Sequence, residues 1–474
     1  MPAERRSTAV AVLGAGPGGY AAAFRAADLG LDVTLVDPEP NPGGVCLYRG
    51  CIPSKALLHL ARLKREAREA SEWGITFSEP QVDVARVRAW KDDVVAKLTG
   101  GLGQLCKARS VTYLRGRGVF RDAHTLHVDC IEPASVELEF EHAIVATGSR
   151  PATVPDLHPE SDRVMNSTDA LELADVPGRL LVIGGGYIGL ELGTVFSELG
   201  STVTVVEMTG SLLPGVDADL TRVLAGSLES RLERIHLDTK VAALAEQDGA
   251  VRAVLEPKGG EGREERYDRV LVAVGRRPNS SGIGLDTTTV ELDEHGFIQV
   301  NAARRTAEPS IYAIGDVTGE PQLAHKATHE GLVAAAAIAG QRAAFDPQAI
   351  PAVVFTDPEI AWCGLTESEA RRAERQVRVA RFPWQASGRA ATLGRQDGLT
   401  KLLVDPETER ILGVGIVGSG AGELIAEGVL AIEMGAVAAD LGASIHPHPT
   451  LSETIMEAAE AFYGQSVHFA GRRR

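Results

Sequence analysis

The sequence predicts an α/β fold in which two modules each wind helices around a parallel sheet. Three observations predict it. An apolar run near the start ends in a glycine-rich turn, the same pattern returns 170 residues later, and 474 residues suffice for about three domains. The 44% hydrophobic and 24% charged residues match globular averages, which excludes disordered, collagen-like and disulfide-scaffold classes.

The first module begins with an apolar run at residues 8–13, which predicts a strand. Residues 14–19 follow with the spacing GxGxxG, and an alanine-rich helix is predicted over residues 20–29. A β-branched run at residues 33–36 predicts the next strand, and Asp37 closes it. Strand, glycine turn, helix and acid in this order are typical of a dinucleotide-binding unit.

The second module repeats this order without a gap. A strand is predicted at residues 180–183, a glycine turn at 184–189, a helix at 190–199 and a further strand at 202–206. The corresponding residues are Gly14 and Gly184, Gly16 and Gly186, Gly19 and Gly189, Gly30 and Gly200, and Asp37 and Glu207. One GxGxxG alone could be an ordinary glycine turn, but two complete copies favour two nucleotide sites.

Each residue type in this pattern has a physical reason. The first glycine permits the tight turn, and the second lets backbone N–H groups approach a pyrophosphate at the helix N-terminus. The third glycine allows close helix–strand packing, and the acid accepts hydrogen bonds from ribose hydroxyls.

A second pair of segments predicts where the chain leaves one domain for the next. Residues 143–151 and 271–278 each read as a buried strand followed by a glycine, Gly148 or Gly275, and then a proline. We therefore expect domain boundaries near residues 150 and 280.

Charge and hydropathy argue against two classes of partner. The net charge is −16 and the only basic runs are short and terminal, which disfavours nucleic acid. The longest apolar stretch, residues 332–339, is far below the ~20 residues that cross a bilayer, and the start lacks a signal-peptide core. We expect a cytoplasmic protein with no membrane partner.

Two of the five cysteines, Cys46 and Cys51, lie close together after the first acid. They cannot be zinc ligands alone, because no second CxxC or histidine pair supplies the remaining corners of a tetrahedron. A disulfide that closes so short a loop stabilises little, so redox exchange is the better interpretation, with two unpaired thiols as the alternative.

The segment GGVCLYRGCIPSK after an N-terminal GxGxxG resembles the pyridine nucleotide–disulfide oxidoreductases, and CIPSKALL is most similar to the dihydrolipoamide dehydrogenases of that family. The resemblance extends over essentially the whole chain. It includes residues 311–317, which are similar to the second FAD motif, residues 323–327, residues 351–359 and residues 446–453.

The resemblance implies two Rossmann-like domains, for FAD and NAD, and a C-terminal α+β dimerisation domain. The implied domains are residues 1–150 and 281–350 for FAD, 151–280 for NAD, and 351–474 for the interface. The implied FAD residues are Gly14, Gly16, Gly19, Asp37, Lys55, Gly148 and Asp316, and the implied NAD residues are Gly184, Gly186, Gly189, Glu207 and Gly275.

The resemblance also implies catalytic roles. Cys51 would lie against the flavin, Cys46 would exchange with the substrate, and Lys55 would lie near the flavin with Glu191 beside it. A helix N-terminus and Lys55 could both stabilise a thiolate.

His448, oriented by Glu453, would act as acid and base from the other subunit, which implies a homodimer with a shared active site. An imidazole held by a carboxylate suits this task, because the exchange nucleophile is a thiolate and the incoming dithiol must lose a proton.

The implied activity is oxidation of protein-bound dihydrolipoamide to lipoamide with NAD as acceptor. The implied partners are the lipoyl domains and core acyltransferase of a 2-oxo acid dehydrogenase complex, or a glycine cleavage system. The alternative is an NADPH-dependent disulfide reductase of the glutathione reductase or mercuric reductase type. Glu207 would repel a 2′-phosphate and residues 208–210 contain no arginine, which favours NAD. A second alternative is a regulatory NAD-binding protein that has lost catalytic turnover. Such a protein would be expected to lack one of the two cysteines, the histidine base or its carboxylate, and all four are present.

Several residues depart from the family pattern or suggest other sites. Tyr187, Tyr48, Arg49 and Asp37 replace the commoner residues at their positions, without removing a reacting group. We expect no metal site at the histidine pair 446/448, because prolines restrict the chain there and no third ligand is near. We expect none at 325/329 either, because the sequence HKATH lacks the glutamate of HExxH. Three further cysteines, Cys106, Cys130 and Cys363, are interpreted as small apolar side chains, and the Arg472–474 tail as a solvated end.

Overall fold

The computed structural model describes residues 4–131, 135–154, 157 and 161–470, so the arginine tail at 472–474 lies outside the described residues. Its α-helices are α1 (Pro17–Asp28), α2 (Gly44–Arg49), α3 (Cys51–Glu69), α4 (Val84–Ala108), α5 (Ser167–Glu172), α6 (Tyr187–Leu199), α7 (Ala218–Glu229), α8 (Ala324–Ile338), α9 (Glu367–Arg372), α10 (Gly388–Thr392), α11 (Ala421–Glu433), α12 (Ala438–Ala443) and α13 (Glu453–Tyr463).

The strands of the described residues form three main sheets and two smaller ones. They are β1 (Glu4–Leu13), β2 (Val33–Asp37), β3 (Thr112–Asp122), β4 (Thr125–Cys130), β5 (Val136–Val145), β6 (Ser149–Pro151), β7 (Val164–Met165), β8 (Arg179–Ile183), β9 (Thr202–Val206), β10 (Arg234–His236), β11 (Thr239–Gln247), β12 (Ala250–Pro257), β13 (Arg263–Tyr267), β14 (Arg269–Val272), β15 (Arg276–Pro278), β16 (Ile311–Ala313), β17 (Ala352–Val354), β18 (Glu359–Gly364), β19 (Arg378–Pro383), β20 (Leu399–Val404) and β21 (Ile411–Gly418).

The first sheet has a parallel core in the order β3-β2-β1-β5-β16, while β4 lies antiparallel between β3 and β5. All of β2 and the end of β1, from Val10 onward, are buried, as expected for a parallel sheet covered by helices. The last strand, β16, comes from a much later part of the chain than β5. The first sheet is therefore assembled from two separated stretches of sequence.

Helices α1 and α8 pack very closely on this sheet. A Cβ added to Gly331 would lie 2.5 Å from the carbonyl oxygen of Gly18, so both backbones need small residues at this contact. The contact places the start of α8 beside the first glycine turn.

The second sheet is parallel throughout, in the order β10-β9-β8-β14-β7, and the antiparallel strands β11, β12 and β13 lie beside it. The chain enters and leaves this region through β6 and β15, which pair antiparallel with Ser149 opposite Pro278. The prediction of a doubly wound α/β fold is confirmed.

The third sheet is antiparallel, in the order β17-β18-β21-β20-β19, and α11 and α13 pack against it. Trp384 is fully buried there and donates from Nε1 to Thr400 Oγ1 at 2.9 Å. This α+β region agrees with the predicted C-terminal domain type. Among the described residues, no helix has the length and apolarity needed to span a bilayer.

A buried ammonium group joins the second region to the third. Lys401 on β20 is 1% exposed, and its Nζ lies 2.6 Å from Asp217, 2.7 Å from Asp219 and 2.8 Å from Glu367. Asp217 also accepts from the backbone N–H groups of Glu367 and Ser368 at the start of α9. The contacts fix the beginning of α7 against the C-terminal sheet.

Candidate active site

The first glycine turn connects β1 to α1, and two of its glycines are required by backbone geometry. Gly14 has φ +100°, and a Cβ there would lie 2.3 Å from the carbonyl oxygen of Ala146. A Cβ on Gly19 would lie 1.9 Å from the carbonyl oxygen of Gly14. At Gly16 the nearest described atom would be 4.0 Å away, so this glycine leaves the helix N-terminus open to a ligand.

The predicted acid reaches back to this turn. Asp37, at the end of β2, accepts from the backbone N–H of Ala15 at 2.7 Å and from that of Glu39 at 3.0 Å. Burial raises the pKa of the Asp37 carboxyl, and these two hydrogen bonds oppose that effect. The acid therefore fixes the turn as well as facing the cavity beside it.

This cavity has a volume of about 670 Å³ and extends from the glycine turn to the cysteine pair. Its wall contains residues from the first region, from α6 and from the start of α8. The residues implied for FAD all line it: Gly14, Gly16, Gly19, Asp37, Lys55, Gly148 and Asp316. Cys46, Cys51 and Glu191 line it too.

The two cysteines lie at the junction of α2 and α3. Cys46 is in α2, Gly50 separates the helices, and Cys51 is the first residue of α3. A hydrogen bond from the Cys46 thiol, together with the nearby Lys55 charge, lowers the pKa of Cys51 to about 7. The same hydrogen bond and burial raise the pKa of Cys46. Cys51 is therefore the thiol that ionises first.

An ion pair stands next to Cys51. Lys55, one turn further along α3, places Nζ 2.8 Å from Oε2 of Glu191 on α6. Glu191 is 3% exposed, and its other oxygen accepts from the backbone N–H of Phe355 at 3.0 Å. Helix α3, helix α6 and the segment that contains Phe355, which are distant in sequence, thus meet beside the cysteine pair.

The loop after β16 presents Asp316 to the cavity. Gly315 has φ +76° and donates its N–H to the fully buried carboxylate of Glu330 at 2.6 Å. Asp316 accepts from Ser149 Oγ, which in turn accepts from Nε of Arg276 at 2.7 Å. The chain crossing at β6 and β15 is therefore bonded directly to this loop.

The second glycine turn has the same geometry as the first. Gly184 has φ +108°, and its Cβ would lie 2.4 Å from the carbonyl oxygen of Ala273. No described atom lies within 4 Å of a Cβ on Gly186, whereas a Cβ on Gly189 would lie 2.1 Å from Gly184 O. Glu207 accepts from the backbone N–H of Gly185 at 2.7 Å.

These second-turn residues do not line the 670 Å³ cavity, and neither does Gly275. The structure thus separates the residues implied for NAD from those implied for FAD. Tyr187, the first residue of α6, does line the cavity, and burial raises the pKa of its phenol to about 12.

The predicted base and its carboxylate lie in the C-terminal region. His448 Nδ1 is 2.8 Å from Oε1 of Glu453, whose other oxygen accepts from Thr450 N–H at 2.7 Å. Burial raises the pKa of Glu453, but the bonds from Thr450 and His448 outweigh it and the pKa is lowered. The His448 side chain is 71% exposed, and neither residue is among those that line the cavity of the same chain.

Comparison with known proteins decides the family. Residues 8–331 match the family model described as pyridine nucleotide-disulphide oxidoreductase, and residues 350–459 match the dimerisation domain of that family. The chain belongs to this family. The match to the dimerisation domain also indicates a homodimer.

Curated relatives cover nearly the full chain. A dihydrolipoyl dehydrogenase from Vibrio cholerae is 48% identical over 455 residues, 96% of this chain and 95% of the relative. The dihydrolipoyl dehydrogenase of Haemophilus influenzae is 49% identical with the same coverage, and that of Haloferax volcanii is 46% identical over 98% of both chains.

Solved structures agree with the fold. LpdA from Mycobacterium tuberculosis has a TM-score of 0.89 at 28% identity, over 96% of this chain and 99% of that one. A Cu(II) complex of the HOCl-induced flavoprotein disulfide reductase RclA from Escherichia coli has a TM-score of 0.85 at 26% identity, over 97% and 99%.

The family and its dihydrolipoyl dehydrogenase members imply FAD and NAD as cofactors, and the residues present fit both. The cavity extends from an open helix N-terminus at Gly16 to Cys51, and a cavity of this extent would suit an elongated dinucleotide held by these residues. The equally open N-terminus at Gly186, with Glu207 beside it, suits a second dinucleotide.

Sequence reasoning missed several side chains that shape the site. Ser149 and Arg276 lie in the two segments that mark the domain boundaries, residues 143–151 and 271–278. Glu330, four residues after Lys326 in an apolar helix, is a sequence signal for a buried ion pair. Phe355 gave no such signal, because its contacts are with residues far away in sequence.

The structure also shows the contacts of Tyr48 and Arg49, two of the residues that depart from the family pattern, and the burial of the three further cysteines. Tyr48 Oη donates to the carbonyl of Asn41 at 3.0 Å, and Arg49 forms an ion pair with Glu39, so both hold α2 to the segment after β2. Cys106 and Cys363 are buried, which agrees with apolar packing, while Cys130 is partly exposed.

Proposed function

We propose that this protein is a dihydrolipoyl dehydrogenase, which oxidises protein-bound dihydrolipoamide and passes the electrons through Cys46 and Cys51 to FAD and then to NAD. The observation that supports this most is the 48–49% identity, over 95% or more of both chains, to curated relatives of that name. The thiol pair, which lines the cavity together with Lys55 and Glu191, provides the matching chemistry.

The residues of the chain can carry out the thiol exchange. A thiolate of the substrate attacks Sγ of Cys46, which breaks the Cys46–Cys51 bond and leaves Cys51 as a thiolate. The second substrate thiolate then attacks the substrate sulfur of the mixed disulfide, closes the lipoamide ring and releases Cys46 as a thiolate. The substrate loses two electrons and two protons, and the cysteine pair gains the electrons.

His448 of the partner subunit serves as the base in this proposal. It takes one proton of the dithiol at Nε2, because Nδ1 faces Glu453, and the other proton leaves to solvent. The low pKa of Cys51 makes it the better leaving group in the first step. Bound FAD supplies the two-electron step from the dithiol to NAD.

NAD is the expected acceptor. Glu207 places a carboxylate where a 2′-phosphate would have to bind, and its Oε1 is held by the N–H and hydroxyl of Thr209, each at 2.8 Å. The lipoyl domains and core acyltransferase of a 2-oxo acid dehydrogenase complex are the proposed partners, and the cytoplasmic location stays a prediction.

A turnover comparison tests the substrate assignment. Purified protein with NAD and dihydrolipoamide should turn over, whereas NADPH with oxidised glutathione should not. Activity with only the second pair would reverse the proposal in favour of a glutathione reductase type. Cys51→Ser should abolish dihydrolipoamide oxidation, and Cys363→Ser, a buried thiol outside the cavity, is the matched control with wild-type activity.

Mixed dimers test the shared site. Cys46→Ser and His448→Gln homodimers should each be nearly inactive, since a general base contributes about 10²–10⁴-fold. Random mixing of the two chains should restore about one quarter of wild-type activity, because half of the dimers are mixed and each has one intact site. If no activity returns on mixing, Cys46 and His448 act within one chain and the shared site is wrong.

A further inference from the structure

We propose that Phe355 is a positioning residue for the cysteine site, because its backbone N–H and its ring together hold the Lys55–Glu191 pair against Cys51. The inference deepens the proposed function and rests on it only for the identity of the reaction. The contacts themselves involve residues of one chain, from the C-terminal region, α3 and α6.

Phe355 contacts both members of the ion pair. Its N–H donates to Oε1 of Glu191 at 3.0 Å, and Nζ of Lys55 lies 4.6 Å from the centre of its ring. Lys55 Nζ and Oε2 of Glu191 are 2.8 Å apart, which closes the triangle. An ammonium group within about 6 Å of a ring face is attracted by the ring quadrupole.

The ion pair alone does not satisfy both oxygens of Glu191, and it does not fix the position of the flexible Lys55 side chain. Glu191 is 3% exposed, and the Phe355 N–H satisfies the carboxylate oxygen that Lys55 does not contact. The Lys55 side chain is 31% exposed and lines both the 670 Å³ cavity and a second cavity of about 250 Å³, whose wall includes the Phe355 ring. The ring therefore limits how far a flexible lysine can turn away from Cys51.

The segment that carries Phe355 is held independently of its ring. Asp357 forms ion pairs with Arg65 of α3 and with Arg395, and its carbonyl accepts from Ser227 Oγ at 3.2 Å. Removing the ring should therefore leave the backbone N–H in place. The contact with the lysine is lost with the ring.

The charged and polar groups around Cys51 determine the pKa of its thiol, which can be measured. They are Cys46, Lys55 and Glu191, and the phenols of Tyr187 and Tyr20 also interact with it. Lys55 is the cation among them, so a lysine that is less well placed stabilises the Cys51 thiolate less. We expect loss of the ring to raise the pKa of Cys51.

Two variants without the ring and one with it test the inference. Phe355→Leu and Phe355→Met should each raise the Cys51 pKa by about 0.5–1 and slow alkylation at neutral pH about two- to fivefold. Phe355→Tyr, which keeps the ring, should match the wild type. The measurement is the pH dependence of limiting iodoacetamide alkylation of the reduced holoenzyme, and trypsin cleavage after Arg49 separates Cys46 from Cys51 for mass spectrometry.

A double-mutant cycle distinguishes action through Lys55 from a general structural effect. In a Lys55→Ala background, Phe355→Leu should cause no further change in the Cys51 pKa. An equal change in both backgrounds, or no change in the single variants, overturns the inference. The thiol measurement uses no substrate, so a failure to oxidise dihydrolipoamide would contradict the proposed function without affecting this result.

Discussion

Replacement of Lys401 by methionine gives a sharp test of how the second and third regions are held together. Methionine keeps most of the apolar stem of lysine and removes the ammonium group. The change leaves three carboxylates, Asp217, Asp219 and Glu367, and one oxygen of each lies within 4.8 Å of one oxygen of the other two. Arg381 remains as a neighbouring cation. We expect strong destabilisation, because like charges then face each other in a buried site.

The magnitude follows from the burial of the site. Lys401 is 1% exposed, and removal of one partner from a buried ion pair costs about 3–5 kcal/mol. At about 2–4 °C per kcal/mol for a region of 150–250 residues, the apparent Tm should fall by about 6–20 °C. Arg381, whose Nε is 2.8 Å from Asp219, keeps the loss from being larger.

Differential scanning calorimetry of the holoenzyme measures this change, with Lys240→Met as the matched control. Lys240 forms a pair with Glu256 at a similar distance, 2.7 Å, but its side chain is 59% exposed. An exposed pair contributes about 0–1 kcal/mol, so the control should lower the Tm by no more than about 4 °C.

The pH dependence provides the test of mechanism. Burial raises the pKa of Asp219, but the hydrogen bonds and charges of Lys401 and Arg381 outweigh it, so the pKa lies below its usual value. A lowered carboxyl pKa stabilises the folded protein above the unfolded pKa of about 3.9, and this contribution is lost as the pH falls through the folded value. The Tm difference between wild type and Lys401→Met should therefore be largest near neutrality. A difference that stays constant into acid, or one no larger than that of the control, refutes the electrostatic argument.

Three further predictions concern the thiols and the second glycine turn. Cys46→Ala should raise the Cys51 pKa above about 7 when the pH dependence of alkylation is measured, because the hydrogen bond from the Cys46 thiol is the largest cause of the lowered pKa and alanine has no donor to replace it; an unchanged pKa would show that this hydrogen bond does not lower it. Gly184→Ala should lower the Tm, since its φ is +108° and its Cβ would lie 2.4 Å from Ala273 O, whereas Gly186→Ala should keep the Tm and raise KM for NAD. Equal Tm losses in both would contradict the separate roles of these glycines. Glu207→Ala should reduce the preference for NAD over NADP in kcat/KM, and an unchanged ratio would remove Glu207 from coenzyme selection.

The parts of the site that sequence alone predicted are those set by local geometry. A strand, a GxGxxG turn and a helix specify their own conformation, because Gly14 and Gly184 adopt positive φ values that other residues rarely adopt. Both turns and both acids are therefore found in the structure at the predicted positions. The fold class followed from the repetition of this unit.

The parts that sequence missed depend on contacts between distant residues. Lys401 lies more than 180 positions from Asp219, and nothing near either residue shows that they meet. The hydrogen bonds that run from Arg276 through Ser149 to Asp316 likewise form only when β6, β15 and β16 have been brought together. Such pairs need the topology before they can be inferred.

Helix α3 shows how the two kinds of information combine. Cys51 and Lys55 are four residues apart, so helical periodicity alone places the ammonium on the face of the thiol. The direction of that ammonium, however, depends on Glu191 and Phe355, which belong to other regions of the chain. The motif thus specifies that a cation accompanies the thiolate, and the packing of three regions determines how strongly it acts. A change at a remote contact such as Phe355 can therefore alter the reactivity of Cys51 while leaving every residue of the motif in place.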